Sequence, residues 1–251
     1  MSIWGKIIGG SAGFALGGPI GALLGIAAGH GIDKTKIKER HNFSKTSKNE
    51  ELEQVFATGV IALAAKLSKI DGKVTKDEIA TFKRIFEFPN KDINVIAKLF
   101  NSAKDDAYDY ESYALQLRRH FSEEKILHEI LNALFAIACA DKILHKNEEK
   151  MLIDISKIFG INQIEYNRIK SIYKFELNTT DKDKLERYYD LLGVTKNDSL
   201  ETIKKKYREI IKSYHPDKIQ GKGLPKDFVD FANKKLTDFN NAYNEIKKNK
   251  K

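Results

Sequence analysis

The chain has 251 residues, enough for one large domain or two ordinary ones, and 41% of its residues are hydrophobic. Its formal net charge of +9 is concentrated at the two ends of the chain, which favours a membrane, an acidic protein or a nucleic acid as partner. The single cysteine, Cys139, excludes an internal disulfide, and its apolar surroundings predict a buried core residue. Few prolines and few alternating β-branched runs predict an all-α fold.

The chain opens with a long uncharged stretch. No charged residue occurs from Ile7 to Gly29, and 23 helical residues at about 1.5 Å each would cross a hydrocarbon core of about 30 Å. In water, each glycine of this stretch would weaken a helix by about 1 kcal/mol relative to alanine, which disfavours a soluble helix. We therefore predict a single transmembrane helix as a membrane anchor within residues 1–31, with Trp4 at the interface.

Glycine recurs at every fourth position of this stretch, from Gly5 to Gly29. On a helix this spacing forms a continuous groove, and in lipid a groove of small residues allows a second helix to pack closely. The pattern therefore predicts a homodimer that forms through the transmembrane helix. The predicted packing residues are Gly9, Gly13, Gly17, Gly21 and Gly25.

Two other interpretations of the N-terminal stretch remain open. The small residues of "IAAGHG" are compatible with the end of a cleaved signal peptide. A glycine-rich hairpin bent at Gly18 and Pro19 is also compatible with the composition, although each arm would be too short to span a bilayer.

The charges on either side of the stretch are unequal. Lys6 alone precedes it, and the basic residues that follow it are Lys34, Lys36, Lys38, Arg40, Lys45 and Lys48. The positive-inside rule then predicts a single-pass protein with its N-terminus outside the cell membrane and its body in the cytoplasm. Residues 32–50 are polar and basic, and we interpret them as a juxtamembrane linker.

Residues 51–178 show a helical pattern with a weak internal repeat. The two copies read "ALAAKLSKIDGKVTKDEIATFKRIF" and "ALFAIACADKILHKNEEKMLIDISKIF". In each copy an apolar helix is followed by an aspartate and, seven residues later, by a glutamate: Asp71 with Glu78, and Asp141 with Glu148. The repeat resembles the TerB-like helical domain of tellurite-resistance proteins, and the resemblance implies that these acidic positions are candidates for metal binding.

A structural role for the same carboxylates is favoured by their neighbours. Gly72 is suited to end a helix, and Thr75 and Glu78 have the spacing of a capping box, in which the carboxylate accepts from a free backbone N–H. The metal site remains the alternative, and with it a second hypothesis for the whole chain, a metal- or stress-responsive membrane sensor.

Residues 184–251 predict a short helix that ends at Gly193 and two longer helices. Asp198 or Ser199 can cap the first of the longer helices, and Asp198 also has the spacing of a capping box with Glu201. One apolar face of that helix is formed by Ile203, Tyr207, Ile210, Ile211 and Tyr214. The opposite face carries Lys205, Arg208 and Lys212.

The turn after this basic helix is the sequence His215-Pro216-Asp217, and a third helix containing "FNNAYNEI" follows it. In this context the tripeptide resembles that of the J domain of the DnaJ family, and the resemblance covers about 65 residues. It implies a co-chaperone that stimulates ATP hydrolysis by a DnaK-type chaperone acting on client polypeptides. The layout as a whole resembles membrane-anchored members of this family, which implies an inner-membrane location.

The resemblance also implies roles for individual residues. Asp217 is the key charge for the chaperone, while His215 and Pro216 fix the turn. Electrostatic complementarity comes from Lys205, Arg208, Lys212 and Lys218. Glu209, where many relatives have a basic residue, and Leu236, in place of the usual phenylalanine, depart from the family pattern.

No catalytic set is apparent, so we expect neither enzymatic activity nor a cofactor. A nucleic-acid partner is disfavoured because the tyrosines near the basic residues are predicted to face the core, which leaves no aromatic platform for bases.

Overall fold

The computed structural model describes residues 17–29, 48–72, 74–86, 93–104, 109–173, 181–213, 224 and 226–250. Within these ranges every regular element is a helix, which confirms the all-α prediction. The helices are α1 (Gly18–Gly29), α2 (Lys48–Lys69), α3 (Lys76–Phe86), α4 (Ile93–Lys104), α5 (Tyr110–His120), α6 (Glu124–Ala138), α7 (Lys146–Phe159), α8 (Gln163–Tyr173), α9 (Asp181–Leu192), α10 (Leu200–Ser213) and α11 (Lys226–Asn249).

Helix α2 forms the centre of the middle domain. Its residues from Gln54 to Ser68 are all buried, so it is covered on every side, as expected for a helix that is apolar nearly all round. It packs against α1, α4, α5, α6 and α7. Even Lys66 is only 2% exposed, and its Nζ atom lies 4.8 Å from the centre of the Tyr113 ring, where a cation–π interaction compensates part of its desolvation. Helix α2 starts at Lys48, within the stretch interpreted as a linker.

The predicted burial of Cys139 is confirmed. It follows the last residue of α6, and it belongs to the same apolar core as α2. The core therefore joins both copies of the internal repeat, because α2 and α3 come from the first copy and α6 and α7 from the second.

Helix α1 corrects the expectation of an uninterrupted helix from Ile7 to Gly29. It starts at Gly18, and both Gly17 and Gly18 have left-handed backbone angles, with φ of 58° and 63°. A right-handed α-helix cannot continue through such residues, so the backbone turns where the hairpin interpretation placed its bend. Residues 1–16 lie outside the described ranges.

The position of α1 is set by the middle domain. Ile20, Leu23 and Leu24 are buried in its core, and α1 contacts α2, α4 and α5. Across this contact the backbone N–H of Ile20 donates to Gln116 Oε1 over 3.0 Å, and Gln116 Nε2 donates to the carbonyl of Gly17 over 2.9 Å. Among the residues that the structure describes, no helix combines the length and apolar character needed to cross a membrane.

Candidate functional site

The C-terminal module contains an antiparallel pair of helices, α10 and α11. The end of α11 lies against the start of α10, because Lys250 Nζ donates to the carbonyls of Lys196 and Asp198 over 2.8 and 2.5 Å. Nearer the middle of the pair, the Tyr207 hydroxyl donates to Asn240 Oδ1 over 2.7 Å, and the rings of Tyr207 and Tyr243 stack 4.3 Å apart.

A small core of its own holds this module together. The predicted apolar face of α10 is confirmed for Ile203 and Ile210, which are buried, and Tyr207 and Ile211 are partly buried beside them. Tyr214 lies outside the described residues. The remaining core residues come mainly from α9 and α11: Tyr189, Leu191, Leu192, Val194, Phe239, Ala242 and Ile246.

The sequence offered two residues, Asp198 and Ser199, as the N-terminal cap of α10, and the structure uses the second. Ser199 caps α10, because the backbone N–H of Thr202 donates to its Oγ over 3.1 Å. The carboxylate of Asp198 accepts instead from the Thr195 N–H over 2.7 Å, so the predicted capping box with Glu201 is not the arrangement found. Gly193 ends α9 with a left-handed φ of 63°, as predicted.

The opposite face of α10 is basic and open to solvent. Lys205, Arg208 and Lys212 are all exposed, and Glu201, Lys204 and Glu209 of the same helix lie beside them. Glu209, the departure from the family pattern, forms an ion pair with Lys206 over 3.2 Å. Such a surface can bind an acidic partner, with a strength that depends on salt.

The tripeptide His215-Pro216-Asp217 and Lys218 fall outside the described residues. Along the chain, this segment lies between the end of α10 at Ser213 and the start of α11 at Lys226. The assignment of these four residues to partner binding therefore stays a prediction from sequence.

The predicted acidic residues of the middle domain are brought together at the two turns of the repeat. His145 lies between them, with its Nε2 atom 3.5 Å from Asp71 Oδ2 and 3.9 Å from Asp141 Oδ2. Glu78 and Glu148 are 4% and 2% exposed. The sequence alone did not indicate the contact between His145 and Asp71, because these residues are far apart in the chain.

Both glutamates act as helix caps. Glu78 Oε2 accepts from the Thr75 N–H over 2.7 Å, and the Glu78 N–H donates to Thr75 Oγ1 over 3.1 Å, so the predicted capping box forms. In the second copy, Glu148 Oε2 accepts from the His145 N–H over 2.9 Å. In the described part of the chain, no group of three or more His, Cys, Asp or Glu side chains is arranged to hold a metal ion.

Burial also changes the acidity of these carboxyls. Burial raises the pKa of Glu148 to about 8, and the neighbouring Glu78, Asp71 and Asp141 add to the increase. The pKa of Glu78 is also raised, again mainly by burial. Protonation of Glu148 would lower the repulsion between these carboxyls.

The predicted glycine groove is only partly described. Gly9 and Gly13 lie outside the described residues, Gly17 precedes α1, and Gly21 and Gly25 lie on α1. A Cβ atom added at Gly25 would meet no atom within 4 Å. The role of these glycines in packing between two transmembrane helices stays a prediction.

One feature of the module was missed at the level of sequence. Phe228, at the start of α11, is fully buried in the core of the middle domain rather than in that of its own module. The available signal was the length of α11. Its apolar stripe extends well beyond the part that α10 can cover, because α11 has 24 residues and α10 has 14.

Three family models match successive parts of the chain. Residues 1–49 match the family model described as the co-chaperone DjlA transmembrane domain, residues 57–171 match tellurite resistance protein TerB, and residues 187–251 match the DnaJ domain. No solved structure shows a significant match.

Several relatives of similar length carry the name co-chaperone protein DjlA. The relative from Photobacterium profundum is 28% identical, with 99% of both chains covered. The one from Coxiella burnetii is 27% identical, over 99% of this chain and 98% of its own. The one from Escherichia coli K12 is also 27% identical, over 100% of this chain and 99% of its own. These matches lend no support to the metal- or stress-sensor hypothesis, and the chain is similar over its whole length to the membrane co-chaperones named DjlA.

Proposed function

We propose that this chain stimulates the ATPase of a DnaK-type chaperone at the cytoplasmic face of the inner membrane. The observation that carries the proposal is the exposed basic face of α10 on a folded J-domain hairpin. Lys205, Arg208 and Lys212 supply positive charge for docking an acidic groove of the chaperone. The carboxylate of Asp217 would then engage a cationic group of the chaperone, with His215 and Pro216 holding the turn and Lys218 adding positive charge.

The residues of the J domain act here as a binding surface rather than as catalysts. ATP is hydrolysed by the partner, and stimulation of that hydrolysis fastens the partner on a client polypeptide. We assign no cofactor and no nucleic acid to the chain. The middle domain would select clients or set the distance of the J domain from the membrane.

The steady-state ATPase rate of the cognate DnaK-type chaperone tests the proposal, with the full chain added in mild detergent. The parent should stimulate the rate, and His215→Gln and Asp217→Asn should not. Lys205→Glu combined with Arg208→Glu should raise the concentration needed for half-maximal stimulation, because charge complementarity governs the encounter. Lys150→Glu, a matched control on an exposed position of α7, should leave that concentration unchanged.

Absence of stimulation by a parent that is shown to be folded would contradict the proposal. Equal stimulation by the parent and by Asp217→Asn would instead remove the tripeptide from the mechanism. Increased salt should weaken the effect of the parent, because exposed charges are screened within about 10 Å at 0.1 M ionic strength.

We further propose that the protein crosses the membrane once, with its N-terminus outside and the remainder in the cytoplasm. The basic residues that follow Gly29 support this orientation. Labelling of a cysteine placed at Ser2 by a membrane-impermeant reagent on intact spheroplasts, compared with labelling of one placed at Lys247, tests it. Labelling only of the cysteine placed at Lys247 would show the opposite orientation.

The glycine pattern also supports a homodimer formed through the transmembrane helix. Gly13→Leu is a suitable test, because Gly13 belongs to the predicted stripe but precedes α1, whose Ile20, Leu23 and Leu24 are already buried in the core of the middle domain. Association in a membrane two-hybrid assay should fall in Gly13→Leu and stay unchanged in Ala15→Leu, a matched control outside the glycine stripe. Equal association in the parent and in Gly13→Leu would contradict the proposed groove.

A further inference from the structure

The first turn of α11 belongs to the core of the TerB-like domain. The Phe228 ring lies 4.6 Å from the ring of Phe56 in an edge-on arrangement and 6.1 Å from that of Phe86 in a stacked one. Leu224 and Val229 are buried in the same core. Three apolar side chains from the J-domain part of the sequence are therefore buried in the core of the TerB-like domain instead of the J-domain core.

The length of α11 explains this arrangement. Its 24 residues span about 36 Å, and the 14 residues of α10 span about 21 Å. Phe228 and Phe239 are eleven residues apart, about three turns, so they lie on the same face of α11. Phe239 is buried in the J-domain core, and Phe228 lies beyond the reach of α10. A single apolar stripe therefore connects two cores.

A second contact joins the two domains at α8 and α9. Ile172, from the last helix of the TerB-like domain, is buried in the J-domain core. The next residue, Tyr173, packs against both cores, and its hydroxyl donates to Asn132 Oδ1 over 3.1 Å. Two separate attachments restrict rotation of the J domain, whereas one flexible linker would not.

The docked arrangement leaves the basic face of α10 accessible. Lys205, Arg208 and Lys212 are exposed although Phe228 is fully buried. Docking of the J domain on the TerB-like domain is therefore compatible with binding of an acidic partner. Phe228 also lies only eleven residues after Asp217 in the chain, so its burial anchors the helix that follows the tripeptide.

We propose that Phe228 is a positioning residue that locks the J domain to the TerB-like domain, so that both act as one rigid unit when the chaperone is stimulated. This inference rests on the proposed function for its consequence in the ATPase assay. Release of Phe228 would lower the fraction of encounters that are productive, because the helix after the tripeptide would no longer be held. The encounter itself would be unaffected, since the basic face is unchanged.

The test compares three variants with the parent, all as the full chain in mild detergent. Phe228→Ala removes the lock, and Phe228→Leu restores most of its apolar volume. Phe159→Ala is the matched control, because Phe159 is as deeply buried as Phe228 but in α7 of the TerB-like domain. Calorimetry measures whether the two domains unfold together, and the ATPase assay measures maximal stimulation and the half-maximal concentration separately.

The parent and Phe159→Ala should each unfold in one transition, whereas Phe228→Ala should unfold in two. Maximal stimulation should fall about tenfold in Phe228→Ala, equivalent to about 1.4 kcal/mol, with little change in the half-maximal concentration. Phe228→Leu should recover the single unfolding transition and the maximal stimulation of the parent. This set of results would support the lock.

Separate transitions in the parent would overturn the inference, and so would parental behaviour of Phe228→Ala in both assays. An equal loss of stimulation in Phe159→Ala would show that general destabilisation, not positioning, is responsible. If the parent gives no stimulation, the proposed function fails, and the calorimetric comparison still decides whether Phe228 joins the domains.

Discussion

Replacement of Gln116 by leucine tests whether α1 is held by the TerB-like domain. The Gln116 side chain is buried, and it makes two hydrogen bonds to the start of α1, one to the N–H of Ile20 and one to the carbonyl of Gly17. Gln116→Leu keeps a side chain of similar size but removes both bonds. It also leaves the buried N–H of Ile20 without this acceptor.

The size of the effect follows from these contacts. Each neutral hydrogen bond contributes about 1 kcal/mol, and leaving a buried donor without a partner costs about 1 kcal/mol more. The free energy of unfolding should therefore fall by about 3 kcal/mol in Gln116→Leu. Gln163→Leu, at an exposed position on α8, is the matched control and should stay within about 0.5 kcal/mol of the parent.

Chemical denaturation of the full chain in mild detergent measures this difference, and hydrogen exchange at the Ile20 amide measures the bond itself. Exchange should become faster in Gln116→Leu and stay slow in the control. The reasoning would be refuted if Gln116→Leu had the stability of the parent and left exchange at Ile20 unchanged. Such a result would mean that α1 does not dock on the domain when detergent can cover it.

Three further predictions concern pH and local contacts. Because burial raises the pKa of Glu148 to about 8, the folded chain keeps this proton at pH values at which the unfolded chain has already released it. The free energy of unfolding should therefore decline as the pH rises from about 4.5 to about 8. The decline should be smaller in Glu148→Gln, and thermal unfolding at a series of pH values measures it; equal slopes would contradict the assigned pKa. Thr75→Ala breaks the capping box and should lower the free energy of unfolding by about 1 kcal/mol, as measured by urea denaturation; an unchanged free energy would mean that the bond between Thr75 Oγ1 and the Glu78 N–H contributes nothing. Tyr207→Phe loses the bond to Asn240 but keeps the stacked ring, so a loss of about 0.5 kcal/mol is expected, and a loss as large as that of a buried core truncation would mean that the hydroxyl has a further role.

Local sequence patterns were sufficient for much of the fold. The helical period predicted the buried face of α10 at Ile203 and Ile210, and the spacing of Thr75 and Glu78 predicted a capping box. These features involve residues within a few turns of one helix, so neighbouring side chains determine them almost completely. The order of the three parts, from membrane segment to J domain, was predicted from the uncharged N-terminal stretch and from the resemblance of the other two parts to known domains.

Choices between local alternatives required the structure. Asp198 and Ser199 were both suitable caps for α10, and the side chain of Asp198 is occupied by the N–H of Thr195. The glycine pattern of the N-terminal stretch suited both a continuous helix and a bend. The positive φ of Gly17 and Gly18 places a bend there, although the spacing of the glycines is equally regular on both sides.

The sequence by itself determined the all-α class, the caps at Thr75 and Gly193, and which surface of the J domain is basic. Only the tertiary structure decided which core receives Phe228, how His145 connects the two acidic turns and what covers α1. The physical reason is that hydrogen bonds within a helix depend on close neighbours in the chain. Burial of an apolar stripe depends on whichever distant element supplies a complementary surface, and helical periodicity does not specify that element.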